Sequence, residues 1–273
     1  MKKILFVLDG NHFSEGAFKM VNYLNEFESV LVTGVFLQAI DYRDIIGYSG
    51  LAADKKMSIS PVQTEEQLIN DQISYFEKRC AHAGLEHRSH RDTDKFALEE
   101  LQIETRFADL MVLSGEMFYE NIGKDQPNDY LKKALRQTEC PVLIVPEEYT
   151  LPKNVVLAYN GRPDSVFAIK QFTYLFPQFY QWETRLITLE EEEEPIPHQE
   201  LIQELAAKHF SNLTIEALTT ANEKNFATWA SEQTDHIMVS GAFGRSELST
   251  LFHKSLLNNI IEEHRMPVFI AHR

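Results

Sequence analysis

Short apolar runs, separated by segments of helical periodicity, form the main pattern along this chain. The runs of the first half lie at residues 4–8, 30–37, 110–113 and 142–145, and those of the second at 155–158, 186–189, 237–239 and 268–271. Because apolar and polar residues do not alternate within them, the runs predict strands buried on both faces, as in parallel sheets. Weaker strands are predicted near residues 85–90 and 213–218.

Helical periodicity fills the gaps between the strands. Its clearest stretches cover residues 167–176, 201–210 and 248–260, and Ser14 and Ser165 are predicted N-caps of the first helix of each half. Strands that alternate with helices predict right-handed βαβ units and a doubly wound α/β sheet. Ligands of such sheets bind beyond the carboxyl ends of the strands, where the strand order reverses.

The two halves share one pattern. Asp109 precedes Pro141 by 32 residues, and Asp235 precedes Pro267 by the same 32 residues, so the ends of the halves align without a gap. The first strands also match, since Asp9-Gly10 in one corresponds to Asn160-Gly161 in the other. We therefore predict two five-stranded domains in tandem, residues 1–148 and 152–273, with a polar break at residues 146–152.

Composition narrows the classes of function. The 273 residues carry a net charge of −15, and both halves are negative, which argues against nucleic-acid binding. No apolar run approaches the length of about 20 residues that a membrane span needs, and the first run ends in Asp9, which favours a strand over a signal peptide. We expect a cytoplasmic protein without membrane contact, in which Cys80 and Cys140 are reduced thiols.

One segment of the second half has the composition of a phosphate-binding loop. Ser240-Gly241-Ala-Phe-Gly244-Arg245 follows a predicted strand, and nine residues, Arg245 to His253, lead on to Lys254-Ser255. Glycines let a backbone approach a ligand closely, and a following helix offers its N–H groups to an anion. Ser255 adds a hydroxyl donor, and Arg245, His253 and Lys254 add charge.

This loop resembles the signature of the universal stress protein family, in which two glycines with two residues between them are followed, after nine more residues, by Gly-Ser or Gly-Thr. A first strand that ends in Asp-Gly and a Pro-Val before the last strand are similar as well, and the resemblance covers both halves. It implies two five-stranded parallel sheets, each with its first and fourth strands adjacent. It also implies binding of ATP or another adenine nucleotide, with Mg²⁺. The residue that ends the first strand would contact the adenine end, and the loop would hold ribose and phosphates.

Neither half retains the whole motif. The first half keeps Asp9 but has Glu116 and Phe118 in its loop, with Phe118 at the place of the second glycine, and Asn128-Asp129 replaces its Gly-Ser. Side-chain bulk and added carboxylates there disfavour a phosphate.

The second half is the better candidate for a nucleotide site. Its candidate binding residues are Asn160, Gly241, Gly244, Arg245, Lys254 and Ser255. Asn160 replaces the aspartate and can both accept and donate a hydrogen bond, whereas Lys254 replaces the third glycine and brings bulk together with charge. A loop kept only for folding is the alternative.

Three other segments favour a structural interpretation. Cys80, His82, His87 and His90 are close in sequence, but they cross from a helix to a strand, so a solvated surface is favoured over a metal site. The run of glutamates at residues 190–194 is read as a solvated loop, with a weak divalent-cation patch as the alternative. Residues 39–61 are read as an insertion, with a flap or a subunit contact as the alternatives.

No constellation of catalytic residues emerges from the sequence, which lacks the nucleophile-elbow, Walker and zinc-protease motifs. We expect a stress-response binding or regulatory module whose two domains pack face to face through residues 142–145 and 268–271, as an intramolecular pseudo-dimer. A homodimer of such chains and an unidentified protein partner are compatible with this expectation. Weak ATP hydrolysis in the second half and a nucleotide-free interaction scaffold are the alternatives.

Overall fold

The computed structural model describes residues 2–9, 13–37, 62–91, 97–115, 137–190, 195–219, 234–241 and 266–272. The elements of the first half are β1 (Lys2–Asp9), α1 (Glu15–Phe27), β2 (Val30–Leu37), α2 (Val62–Ala83), β3 (Glu86–Arg91), α3 (Ala97–Arg106), β4 (Leu110–Ser114) and β5 (Val142–Val145). Those of the second half are β6 (Asn154–Ala158), α4 (Pro163–Leu175), a 3₁₀ turn (Pro177–Gln181), β7 (Glu183–Glu190), α5 (Gln199–His209), β8 (Asn212–Thr219), β9 (His236–Gly241) and β10 (Val268–Ala271).

All ten strands belong to one sheet, in the order β3-β2-β1-β4-β5-β10-β9-β6-β7-β8. Within each half every pairing is parallel, and the first strand lies between the second and the fourth. The order therefore reverses between β1 and β4, and again between β6 and β9. This is the predicted doubly wound α/β fold, and every predicted strand is present.

The halves meet through β5 and β10, which pair antiparallel with Ile144 opposite Val268 and Leu143 opposite Phe269. The contact is thus edge to edge, and the expectation that the domains face each other is wrong. Because the pairing is antiparallel, the carboxyl ends of the parallel strands point to opposite edges of the sheet in the two halves.

Buried apolar strands explain why the sheet forms. Residues 4–8 of β1 are all buried, as are β4, β5 and β10 throughout. Aromatic side chains fill the layer between the sheet and the helices. In the first half they are Phe6, Phe13, Phe18 and Phe76, and in the second they are Phe172, Phe176, Phe179 and Phe269.

The segment between the halves is fixed along α1. The Tyr23 hydroxyl donates to the carbonyl of Pro152 over 2.8 Å, and the Tyr149 hydroxyl donates to the carbonyl of Gly16 over 3.1 Å. Burial raises the pKa of Tyr149 well above its ordinary value, with a further contribution from the nearby Glu147 carboxylate. The polar break predicted at residues 146–152 is therefore a packed connection in this structure.

The ungapped alignment of the two halves is wrong by one residue at the fourth strand. The backbone N–H of Met111 donates to Pro141, and that of Met238 donates to Pro267. Because the two prolines correspond, Met111 corresponds to Met238, although the matched aspartates had assigned it to Ile237. The pairing with the first strands agrees. Ile4 and Val155 are corresponding residues of those strands, and they lie opposite Leu110 and Ile237, so Leu110 corresponds to Ile237.

Several expectations can be compared with the described residues only in part. Among those residues, no helix is both long and apolar enough to cross a bilayer, and no three His, Cys, Asp or Glu side chains are grouped as a metal site would need.

Cys80 and Cys140 are both buried, and burial raises the pKa of each thiol to about 12. The insertion at 39–61, the glutamates at 191–194 and the helix predicted at 248–260 lie outside the described residues.

Candidate functional site at the carboxyl edge of the second half

The crevice of interest lies where the carboxyl ends of β6 and β9 run side by side. Ala158 is opposite Ser240 in the register of these strands. The connection after β6 leads to β7 on one side, and β9 is followed by β10 on the other. Divergent connections open a crevice between two adjacent parallel strands, and ligands of this fold class occupy such crevices.

Asn160 lies at the rim of this crevice, two residues beyond the end of β6. Its side-chain Oδ1 accepts a hydrogen bond of 3.1 Å from the backbone N–H of Arg162, and the residue is exposed. Gly161 between them has a φ of +74°, which a glycine adopts without strain. Asn160 is therefore held in an Asx turn, and its accepting oxygen is already engaged by the backbone.

A proline packs beneath this turn. A Cβ built on Gly161 would lie 2.6 Å from the Cβ of Pro197, so the turn lies directly against that residue. The Tyr159 hydroxyl donates to the carbonyl of Pro197 over 2.8 Å, and burial raises the pKa of Tyr159. These two contacts fix the chain on both sides of Asn160.

Gly241 ends β9 and faces the first turn of α4. A Cβ at this position would lie 2.3 Å from the carbonyl carbon of Asp164 and 2.4 Å from the backbone nitrogen of Ser165. Contacts this short are sterically forbidden, so a side chain at residue 241 would displace the helix. The helix thus supplies a reason for a glycine here beyond the predicted approach of a ligand.

Helix α4 begins at the crevice. Its N-cap is Arg162, whose side chain makes no capping hydrogen bond, and Pro163 occupies the first helical position. The prediction that Ser165 caps the helix is wrong. Ser165 lies inside the first turn, and its hydroxyl donates to the carbonyl of Arg162 over 2.8 Å.

The corresponding edge of the first half is arranged differently. Ser14 caps α1 as predicted, because its hydroxyl oxygen accepts from the N–H of Ala17 over 3.0 Å. The same hydroxyl donates to the Glu147 carboxylate over 2.6 Å, and the N–H of Glu15 donates to that carboxylate over 2.7 Å. A carboxylate from the connecting segment therefore occupies the start of α1, where it interacts favourably with the helix dipole.

Most of the predicted phosphate loop lies outside the described residues. That part includes Gly244, Arg245, Lys254 and Ser255 in the second half and Phe118 in the first. Of the six candidate binding residues, the structure brings Asn160 and Gly241 to one edge of the sheet. The roles of the other four remain predictions from the sequence.

The register of β4 changes how the two loops should be compared. Ser114, and not Gly115, corresponds to Gly241 when residues are counted from the paired strands. Met117 follows Ser114 by the same three positions that separate Gly244 from Gly241. The comparison of Phe118 with Gly244 rested on the ungapped alignment. Met117 and Phe118 are both bulky, so the contrast with a glycine holds in either alignment.

Comparison with solved structures identifies proteins of the same fold. The chain is similar along its whole length to a universal stress protein from Archaeoglobus fulgidus, with a TM-score of 0.68, 15% identity and 96% of that chain covered. A putative universal stress protein from Pseudomonas aeruginosa matches with a TM-score of 0.54, 12% identity, and coverage of 100% of this chain and 93% of that one.

A match of the same quality comes from a different kind of protein. The cytoplasmic domain of a prokaryotic cation chloride cotransporter gives a TM-score of 0.54 and 12% identity, over 98% of this chain and 94% of that one. No protein-family model and no curated protein matches the sequence. The chain thus has the α/β fold of structures solved as universal stress proteins, and at these identities the likeness establishes the fold alone.

Proposed function

We propose that this protein is a tandem member of the universal stress protein family, a regulatory module that binds an adenine nucleotide with Mg²⁺ in its second half. Support for the family comes from the fold shared along the whole chain with the Archaeoglobus fulgidus structure. The repeated strand order, first strand between second and fourth in each half, supports the tandem arrangement.

The observation that carries the nucleotide proposal is the difference between the two carboxyl edges. At the first, the Glu147 carboxylate accepts hydrogen bonds from Ser14 and Glu15 at the start of α1. At the second, the described residues of other segments place no carboxylate on the start of α4, the side chain of its N-cap residue makes no capping hydrogen bond, and Asn160 and Gly241 border the crevice. A negatively charged group at the first edge repels a phosphate, so the second edge is favoured for a nucleotide.

The sequence of the second loop supplies what the phosphates need. Gly244 leaves room for the backbone to approach a phosphate, and Ser255 offers a hydroxyl. Arg245 and Lys254 would neutralise negative charge, with Mg²⁺ as a further counter-ion. In this proposal the first half serves as the structural partner of the second within a cytoplasmic chain.

A thermal-shift screen with ATP, ADP and AMP, each with and without Mg²⁺, tests the proposal. A ligand present at 100 times its Kd stabilises the folded state by about 2.7 kcal/mol, which raises the unfolding temperature measurably. Gly244→Phe should abolish the shift because it fills the space left for the phosphate. The matched change in the first half, Met117→Gly, should leave the shift as it is in the wild type.

The same screen separates the alternatives. A protein that no nucleotide stabilises would be a scaffold that acts through its folded surfaces, and the proposal would be wrong. If nucleotides bind, release of ADP from ATP by the wild type and by Ser255→Ala then tests for hydrolysis. If both proteins release ADP only at the background rate, the protein binds the nucleotide without hydrolysing it.

A further inference from the structure

The two outer strands of the sheet differ in how well they are protected against pairing with a further strand. At one edge lies β3, and five of its six residues are Glu, His or Arg. Charged side chains on an edge strand disfavour the addition of another strand. The first edge is therefore protected by its own sequence.

Strand β8, at the other edge, lacks this protection. It has eight residues, of which Glu216 alone is charged. β7 pairs with it in parallel along its whole length, and in the described part of the chain no strand pairs with its outer side. The N–H and C=O groups of a strand point alternately to its two sides, so half of those of β8 are directed away from β7. An edge of this length with one charge is a surface to which another strand can add.

The side chains of β8 form two different rows. Leu213 and Ile215 pack against the core, and the exposed Ala217 follows on the same face because side chains alternate along a strand. The exposed Thr214 and the half-buried Glu216 lie on the opposite face. A matching strand must therefore continue an apolar row on one face and meet a hydroxyl and a carboxylate on the other.

We infer that this matching strand is β8 of a second copy of the chain, added antiparallel so that one sheet continues through both copies. The inference is independent of the proposed nucleotide site. The chain already joins two edge strands in this way, since β5 and β10 pair antiparallel through apolar residues. The two copies would be related by a two-fold axis perpendicular to the sheet.

This two-fold axis restricts the register. It keeps each residue on the same face in both copies, so the centre of the pairing is a residue opposite its own counterpart. The longest overlaps of two eight-residue strands are then centred on Ile215 or on Glu216. A centre at Glu216 places two carboxylates directly opposite each other, which is destabilising. The register centred on Ile215 is therefore favoured.

The register centred on Ile215 matches both rows of side chains. Leu213 lies opposite Ala217 of the second copy, and the two Ile215 side chains meet, so the apolar row is continuous. Thr214 lies opposite Glu216 of the second copy, where its hydroxyl can donate to the carboxylate. The strand is thus complementary to itself.

Charge makes this association dependent on salt. Each chain carries a net charge of −15, so two chains repel each other at long range. Salt screens this repulsion, whereas the backbone hydrogen bonds of the strand pair persist. The dimer should therefore form more tightly at about 0.5 M than at about 0.05 M NaCl.

Sedimentation equilibrium of the full chain, at several protein concentrations and both salt concentrations, tests the inference. We expect the wild type to be in equilibrium between monomer and dimer. Thr214→Glu should weaken the dimer about tenfold, because it places a carboxylate opposite Glu216 in both symmetric pairs. Ala81→Glu is the matched control, since it adds the same charge at an exposed position of α2 and should leave association nearly unchanged.

A double variant tests the register itself. Adding Glu216→Lys to Thr214→Glu places opposite charges across each pair and should restore association, whereas adding Ala81→Lys to Thr214→Glu should not. Circular dichroism would establish that the variants fold. A wild type that is monomeric under all conditions, equal effects of Thr214→Glu and Ala81→Glu, or a failure of Glu216→Lys to restore association would each overturn the proposal.

Discussion

Gly241 shows how the absence of one side chain sets the distance between a strand and a helix at the candidate site. The backbone of the first turn of α4 lies where a Cβ would have to be. Its sequence context suggested a ligand-binding role, but the helix contact became visible only in three dimensions. The residue serves packing whether or not a phosphate binds beside it.

Gly241→Ala should destabilise the protein by about 1–3 kcal/mol, because α4 must shift to admit the methyl group. Gly84→Ala is the control, since nothing lies within 4 Å of a Cβ there and its φ of +69° imposes only a local strain of about 1 kcal/mol. Urea unfolding of the two variants provides the comparison. A smaller loss in Gly241→Ala than in Gly84→Ala would contradict the packing argument.

His236 is a buried titratable residue at the amino end of β9. Its Nδ1 lies 3.0 Å from an oxygen of Asp235, yet the geometry does not make a hydrogen bond. Burial lowers the pKa of His236 from its ordinary 6.5, and this effect outweighs the nearby Asp235 carboxylate. The folded protein therefore favours the neutral ring.

Stability should consequently fall as the pH drops through about 6.5, because the unfolded chain takes up a proton that the folded chain resists. His236→Gln removes this titration, so the variant should lose less stability between pH 7 and pH 5 than the wild type does. Unfolding free energies at the two pH values measure the difference. Equal losses in both proteins would show that His236 does not contribute to the pH dependence.

At the scale of elements, the strands were predictable from the sequence. Strands buried on both faces, such as β5 and β10, appear as unbroken apolar runs. Their order within each half followed from the family resemblance, which implies that the first and fourth strands are adjacent, whereas the alternation of strands and helices predicted only a doubly wound sheet. The pairing of β5 with β10 edge to edge followed from neither, because face and edge contacts both bury an apolar strand.

Two predictions from the sequence were wrong because neighbouring residues favoured different helix starts or different alignments. Ser165 has the right chemistry for a cap, but Pro163 fits the first helical position and starts α4 earlier. The matched aspartates before β4 and β9 suggested an ungapped repeat. The shared Met-Val pairs, Met111-Val112 and Met238-Val239, were the signal for the true register.

Part of the candidate site could not be predicted from the sequence. The hydrogen bond from Ser14 to the Glu147 carboxylate joins residues 133 positions apart, so no local sequence pattern predicts it. The hydrogen bond that orients Asn160 spans only two residues, but the side chain could equally have served a ligand with its oxygen.

Two serines at the starts of α1 and α4, the N-cap Ser14 and the first-turn residue Ser165, give a matched pair of variants. Ser14→Ala should destabilise the protein by about 1–2 kcal/mol, because it removes the N-cap and the donor to Glu147. Ser165→Ala removes a hydroxyl that donates within its own turn, so its effect should be about 0.5 kcal/mol or less. Chemical denaturation of both variants measures this contrast. Equal effects would mean that Ser14 contributes no more than a helical serine.

At the scale of the whole molecule, the two halves share a sheet and an aromatic contact. Phe27 of α1 meets Phe179 edge to face at 5.4 Å between centroids, and Phe179 stacks on Trp182 at 3.8 Å. Phe269 of β10, opposite Leu143 of β5, packs its ring against Phe172 and Phe176. We expect the halves to unfold together.

Phe269→Ala should lower the stability of the whole chain by about 3–5 kcal/mol, because it leaves a cavity where strand and helix meet. Phe107→Ala is the matched control, since that ring is 65% exposed and its loss should change stability by about 0.5 kcal/mol at most. Calorimetry of both variants gives the values. Two separate transitions in the wild type would contradict the shared unfolding of the halves.

The central claim is that a nucleotide binds at the carboxyl edge of the second half and not at that of the first. A crystal structure of the full chain, grown with a Mg²⁺-nucleotide that stabilises it, tests this claim most directly. We predict one nucleotide per chain, bordered by Asn160 and Gly241, while Glu147 stays on Ser14. A nucleotide at the start of α1, with none between β6 and β9, would contradict it.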